Sequence, residues 1–265
     1  MRHCYVLRVF TRGDEGGNLL GVVTDVTGLP ERVMQEIATD NGFSETVFID
    51  WHDAVMPSVR IFTPAMELPF AGHPLVGAAW VLCSIGPDTV HTMRCAVGEI
   101  PFRVEDGLVW VDTPMVRAVR RAPEAEAIAV AARLPEALEA WWVEMPLPYL
   151  VMDLGSPVAV AAAAPDLEAL TAADAGMCML IADAGDHVVA RFFAPRAGVP
   201  EDPATGSAAA ALAAVRRHHG TLQGSLTIHQ GDALGCPSTI HVTWDDQVVR
   251  LGGTVCRDRV MVLEK

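Results

Sequence analysis

The chain has 265 residues, of which 51% are hydrophobic and 20% charged. That length suits one large domain or two ordinary ones, and the balance is that of a globular protein with a substantial core. A formal net charge of −14 repels phosphate backbones and anionic lipid, which argues against nucleic acid and membrane surfaces as partners. Six cysteines (Cys4, Cys83, Cys95, Cys178, Cys236 and Cys256) are scattered without a CxxC, the pattern of reduced thiols. The start, MRHCYVLRVF, alternates like a strand and has no signal-peptide core, and no apolar run reaches the roughly 18 residues of a membrane span. A cytoplasmic location is expected.

The opening reads as strands: YVLRVF alternates, TRGDEGGN is a glycine-rich turn, and LLGVV resumes the strand. GLPERVMQEIATDNG has the marks of a helix, with Pro30 and Glu31 at its start, Val33 and Ile37 on one face, and Gly42 after its end. ETVFID and SVRIFTP are strands, LPFAGHP a loop, and LVGAAWVLCSI a short helix. Short strands and turns follow from Met93 to Pro114. Residues 123–144 have helical composition interrupted by Pro135 and could bridge two halves. Strand-then-helix order recurs in PYLVMDLGS and VAVAAAAPDLEALTAADAG. CMLIADAG and HVVARFFAP are strands, and the segment from residue 225 onward is a series of hairpin-like strands with glycine turns.

An internal repeat organises these elements. VRIFTPAMELPFAGHP (59–74) aligns with ARFFAPRAGVPEDPATGS (190–207), matching Arg60 to Arg191, Phe62 to Phe193, Pro64 to Pro195 and Pro69 to Pro200. Two extra residues in the second copy then set Ala71 against Ala204. Each loop leads into a helix that is apolar nearly all round, and such a helix must be enclosed. The flanking strands supply the enclosure. The expected fold is therefore α+β, with two similar domains related by a pseudo-twofold axis, each a β-barrel wrapped around a central helix. The boundary is placed at 1–117 and 118–265, with the last strand free to return to the first domain.

Four amide N–H groups at a helix start lack intrahelical partners, and the helix dipole adds partial positive charge there. Pro74 suits the first helical position, leaving His73 or Gly72 near the cap. Thr205 or Ser207 would cap the second helix, and Gly206 would admit close backbone approach. If the barrels face each other, both starts point into one cleft suited to a small carboxylate.

GNLLGVV, SETVFI, RIFTPAMELPFAGHPLVG and FFAPRAGVPEDPATGSAAAAL resemble the PhzF family, the phenazine-biosynthesis-like isomerases with the diaminopimelate epimerase fold. The resemblance runs from Phe10 to the terminal strands. It implies two barrels each around a helix, homodimers, a small-molecule carboxylate substrate and no cofactor. By motif, Glu45 of SETVF resembles the family's acid/base, and His73, Asp202 and Ser207 resemble the residues lining its site. Gly72, Thr205 and Gly206 then stand as substrate-binding positions, the glycines offering backbone donors. In the best-studied relative a proton shifts between ring carbons of a dihydro-hydroxyanthranilate. One carboxylate can do this if burial lets it hold and return a proton. Two departures stand out: Cys236 occupies a position where the family commonly carries arginine, and GNLL replaces Gly-Asn-Pro.

Each of these residues also has an ordinary reading: a solvated Glu45, a His73 bonded within its loop, an Asp202 that starts a turn. A two-cysteine racemase or epimerase is disfavoured, because that branch of the fold has cysteines at positions matched here to Ala71 and Ala204. A carboxylate-binding protein without turnover is the remaining alternative. No HExxH, paired-carboxylate spacing, GxGxxG or P-loop points to a metal or a nucleotide.

Overall fold

A computed structural model describes residues 2–24, 26–113, 116, 118–145 and 148–263. The chain divides into two compact units, Met1–Thr113 with Arg250–Lys265, and Pro114–Val249. Among the described residues no helix is long and apolar enough to cross a membrane.

In the first unit β1 (Arg2–Val9) lies antiparallel to both β2 (Asn18–Val23) and β18 (Val255–Leu263). Helix α1 (Glu31–Asn41) connects β2 to the parallel strand β3 (Glu45–Asp50), and β4 (Ser58–Phe62) runs antiparallel to β3. The short β5 (Glu67–Leu68) folds back on β4. Helix α2 (Gly72–Ile85) follows, then β6 (Thr92–Cys95), β7 (Gly98–Glu105) and β8 (Leu108–Asp112) in antiparallel succession. Strand β17 (Val249–Gly253) pairs with β8.

Strands β1, β2, β3, β7, β8 and β18 all pack against α2. The helix is accordingly buried from Gly72 to Ala79 and again at Val81 and Leu82. Outside the sheet, α1 covers a small core of Cys4, Val23, Met34, Ile37, Phe48 and Phe62.

The second unit repeats the plan. Strands β9 (Ala118–Arg121), β10 (Glu139–Glu144) and β11 (Pro148–Asp153) are successively antiparallel, and β12 (Cys178–Asp183) runs parallel to β11. Strand β13 (Val188–Ala194) pairs antiparallel with β12 and with β14 (Val199–Asp202), and parallel with β15 (Gly224–Gln230). β16 (Ser238–Trp244) closes a hairpin with β15. Helix α6 (Gly206–His218) packs on β9, β10, β11, β15 and β16 and is buried from Gly206 to Val215. Its alanines keep the enclosing strands close. Helices α3 (Ala125–Ala131), α4 (Pro157–Ala162) and α5 (Leu167–Ala172) join an outer apolar cluster.

Two sequence expectations are corrected and one is extended. Residues 123–144 are not one helix: α3 ends at Ala131 and β10 begins at Glu139, with Trp141 and Val143 buried on alternate positions of a strand. Aromatic and β-branched residues fit that pleated, half-buried surface better than a helix. Residues 250–265 all lie with the first unit, which extends the return allowed for the last strand: β18 pairs along β1, and β17 goes with it, pairing with β8.

The second correction concerns the repeat. Ile61 is opposite Leu68, and its equivalent Phe192 is opposite Asp202. Leu68 therefore matches Asp202, and Pro69 matches Pro203 rather than Pro200. The helix caps agree, Ala71 in one copy and Thr205, not Ala204, in the other. Three extra residues lie before Glu201, and from there the copies run without a gap. A shared ion pair confirms the register. Arg60 grips Glu67 through Nε and Nη2 at 2.7 Å each, and Arg191 grips Glu201 at 2.8 and 2.7 Å. Each guanidinium also lies over a phenylalanine two residues on, Phe62 or Phe193.

The tightness of the first enclosure is testable at Gly77. A Cβ there would come within 2.3 Å of Leu20 Cδ2 and 3.2 Å of Val9 Cγ2. Gly77→Val should therefore destabilise the protein by about 1–3 kcal/mol despite the better helix former, read as a lower denaturant midpoint at unchanged slope.

Candidate active site

In the first unit the chemistry gathers at the start of α2. His73 is the second residue of that helix, and Glu45 is the first residue of β3, opposite Leu20 of β2. Their side chains meet: His73 Nε2 lies 3.2 Å from Glu45 Oε2, with the side chains only 3% and 13% exposed. A solvated Glu45 is thus not what the fold produces. His73 Nε2 makes no well-aligned hydrogen bond, so the approach is close but off-axis. Catalytic hydrogen bonds are commonly long or bent until substrate arrives.

Two further side chains complete a line. Asn18 Nδ2 lies 3.3 Å from His73 Nδ1, and Ser44 Oγ donates to Asn18 Oδ1 at 3.1 Å. Asn18 opens β2 and is buried, while Ser44 precedes β3. Burial pushes the His73 pKa down from 6.5 to about 3, so the ring is neutral at physiological pH. The contact with Glu45 is therefore not an ion pair.

In the second unit the equivalent helix start carries a different set. Asp202 ends β14 and is buried, accepting a hydrogen bond from Thr205 Oγ1. Gln230, at the end of β15, braces this turn from three sides. Its Nε2 donates to the Asp202 carbonyl at 2.7 Å and to Thr205 Oγ1 at 3.1 Å, and its Oε1 accepts from the Thr205 N–H at 3.3 Å. Ser207, equivalent to His73, receives a hydrogen bond from Tyr149 Oη at 2.8 Å. Gly231 must be glycine here. Its φ is +85°, and a Cβ would fall 2.2 Å from the Cys236 carbonyl oxygen and 2.6 Å from that of Pro203. The segment containing Cys236 thereby packs on the loop bearing Asp202.

Thr205 takes the cap position of the second helix as expected, but the expected side-chain capping bond is missing in both copies. Ala71 holds the cap position of the first helix. Thr205 turns its hydroxyl to Asp202 instead, and His73 and Ser207 lie one residue inside their helices. Gly72 and Gly206 are the first helical residues. Asn18, Ser44, Tyr149 and Gln230 are site residues that the motifs do not single out, although Asn18, Ser44 and Tyr149 lie within the quoted stretches GNLLGVV, SETVFI and PYLVMDLGS. Among the described residues no three His, Cys, Asp or Glu side chains gather where they could hold a metal ion. The revised repeat register sets Ala71 against Thr205, and with neither a cysteine the two-thiol arrangement is absent.

His73 gives this site a pH signature. The unfolded chain protonates this histidine near pH 6.5 while the folded protein resists down to about 3, so folding stability falls as pH drops through that window. Between pH 6 and 4, wild-type stability should fall more steeply than that of His73→Gln, by up to about 1.4 kcal/mol per pH unit. Denaturant unfolding of both proteins across that range measures the difference.

With the geometry in place, the likeness to known proteins is extensive. The phenazine biosynthesis-like family (PhzC-PhzF) matches residues 7–257. The trans-2,3-dihydro-3-hydroxyanthranilate isomerase of Pseudomonas chlororaphis is 32% identical, covering 95% of this chain and 94% of the relative. An uncharacterized isomerase of Deinococcus radiodurans is also 32% identical, over 94% of this chain and 91% of the relative. In structure, a predicted epimerase from Pseudomonas aeruginosa is 29% identical with a TM-score of 0.83, covering 100% of both chains. A hydroxyproline epimerase from Agrobacterium vitis is 10% identical with a TM-score of 0.69 over 98% of this chain and 91% of its own, a likeness of fold alone. The chain belongs to the PhzC-PhzF family, as an isomerase among the phenazine biosynthesis-like proteins.

Proposed function

We propose that the protein is a cofactor-independent isomerase that moves a proton within a small cyclic or unsaturated carboxylate, with Glu45 as its single acid/base. The observation that carries this reading is the enclosed pair of Glu45 with a neutral His73, 3.2 Å apart. A neutral imidazole places a donor beside the carboxylate without supplying a permanent positive charge. The carboxylate takes a proton from one carbon, leaving an electron pair delocalised over the unsaturated system. It then delivers that proton, or one exchanged for it with solvent while on the carboxyl, to another carbon of that system, so charge and hydrogen count balance without a co-reactant.

The repeat supports a single base. Thr46 is opposite Phe62, and Cys178 is opposite the equivalent Phe193, so Glu45 corresponds to Met177 in the second copy. A thioether neither takes nor gives a proton, and the second copy has no counterpart of the base. Asp202 and Ser207 are assigned to binding and polarising the substrate, with Gly72, Thr205 and Gly206 as further binding positions. Asp202 is held by Thr205, and Ser207 already accepts the Tyr149 proton, which leaves the serine's own O–H as a donor. The relatives named as trans-2,3-dihydro-3-hydroxyanthranilate isomerases supply the first probe compound.

Incubated with that compound in deuterated water, wild-type protein should isomerise it and incorporate solvent deuterium at the receiving carbon. Glu45→Gln should lower both rates by about 10²–10⁴-fold while still binding the compound. Equal rates for the two proteins would overturn the assignment, and binding without turnover by wild type would show a carboxylate-binding protein of the same fold. Ser207→Ala should lower kcat/KM about tenfold through the lost donor, measured in the same assay.

A further inference from the structure

We propose that Asn18, anchored by Ser44, is a positioning residue that ties up the Nδ1 lone pair of His73 and so keeps the ring proton on Nε2, facing Glu45. The inference rests on the catalytic reading of Glu45 and concerns a residue that reading does not use.

The argument runs along one line of atoms. An ionised carboxylate only accepts hydrogen bonds. Glu45 Oε2 is the acceptor nearest His73 Nε2, 3.2 Å away and off-axis in this structure. With Glu45 ionised, a proton on that nitrogen lets the two close into a hydrogen bond, whereas a bare lone pair would repel the carboxylate. The ring is neutral, so its other nitrogen, Nδ1, is then an acceptor and needs a donor. Asn18 Nδ2 stands 3.3 Å from it. That orientation turns Asn18 Oδ1 the other way, where Ser44 Oγ donates at 3.1 Å. Every member has one orientation compatible with the next. Asn18 is 2% exposed and His73 3%, so water is not at hand to substitute for the amide. The asparagine is also fixed at its backbone, since it opens β2 opposite Val9 of β1.

The tautomer is what matters for chemistry. A proton on Nε2 makes His73 a donor that steadies the carboxylate while it is the base. A proton on Nδ1 would set a lone pair against Glu45 and favour its protonated form before substrate binds. Asn18 thus acts through His73 on the readiness of Glu45, without touching the reacting atoms.

Long-range ¹H–¹⁵N correlation spectra of the uniformly ¹⁵N-labelled full chain report which ring nitrogen carries the proton. The His73 signals are assigned by their loss in His73→Gln. Wild type should show the Nε2–H form. Asn18→Asp offers only an acceptor and should shift the proton to Nδ1, and Asn18→Leu should give a mixture. Both should lose tenfold or more in kcat for exchange, as an order-of-magnitude expectation for a misplaced imidazole proton, with KM moved less than about threefold. Wild type in the Nδ1–H form, or variants that keep the wild-type tautomer, would overturn the proposal. If neither Asn18 variant folds, Ser44→Ala is the deciding arm. A minor Nδ1–H population is expected there, and unchanged spectra with unchanged exchange count against the relay. Full exchange by Glu45→Gln would instead defeat the catalytic reading while leaving the tautomer assignment standing.

Discussion

The structure turns on a constraint that comes with enclosing a helix. Helices α2 and α6 have almost no polar face, so strands surround them, and their amino ends are carried inside with the rest. An amino end brings N–H groups and partial positive charge into a region where polar groups must find partners. Neither helix meets that demand with a capping side chain. Polar residues from neighbouring strands gather at each amino end instead, and in each unit those residues form its polar cluster. Each cluster is thus a product of the fold's own polar accounting, with chemistry added by the choice of residue.

The two copies show how that choice diverged. Their scaffolds stay alike down to the Arg–Glu fork and the phenylalanine beneath each guanidinium. At the helix start the correspondences change character. His73 corresponds to Ser207, Leu68 to Asp202 and Glu45 to Met177. One copy keeps a neutral imidazole beside a carboxylate, and the other keeps a threonine hydroxyl on an aspartate and a serine hydroxyl on Tyr149. Two similar enclosures therefore carry unlike side chains at equivalent positions.

The duplicated core and the loop–helix junctions were legible because they are written in local patterns: apolar runs, prolines and glycines at fixed offsets. The loop register was not. Pro200 and Pro203 flank Glu201, and matching Pro69 to the first hid the three-residue insertion that strand pairing exposes. The bracing residues were also out of reach. Gln230 is 25 positions from Thr205, and Tyr149 is 58 from Ser207. Such contacts are set by which strands adjoin, and no local pattern encodes that. The strand β10 was obscured for a related reason: its alanine- and glutamate-rich approach favours a helix until Trp141 and Val143 find a sheet to join.

The adjacent carboxylates Glu201 and Asp202 show why position outweighs residue type. Successive side chains of a strand point to opposite faces, so β14 must send these two apart. Glu201 goes to the fork on Arg191, where both partners are nearly enclosed, at 12% and 13% exposure. Removing either would leave a charge with poor access to water, so Glu201 is committed to structure. Its neighbour turns to the helix start and meets the Thr205 hydroxyl. The same alternation in β5 gives Glu67 to Arg60 and sends Leu68, an apolar residue, to the helix side. A single substitution at that inward position, leucine in one copy and aspartate in the other, separates a structural turn from a candidate binding one while the fork beside it holds both in place.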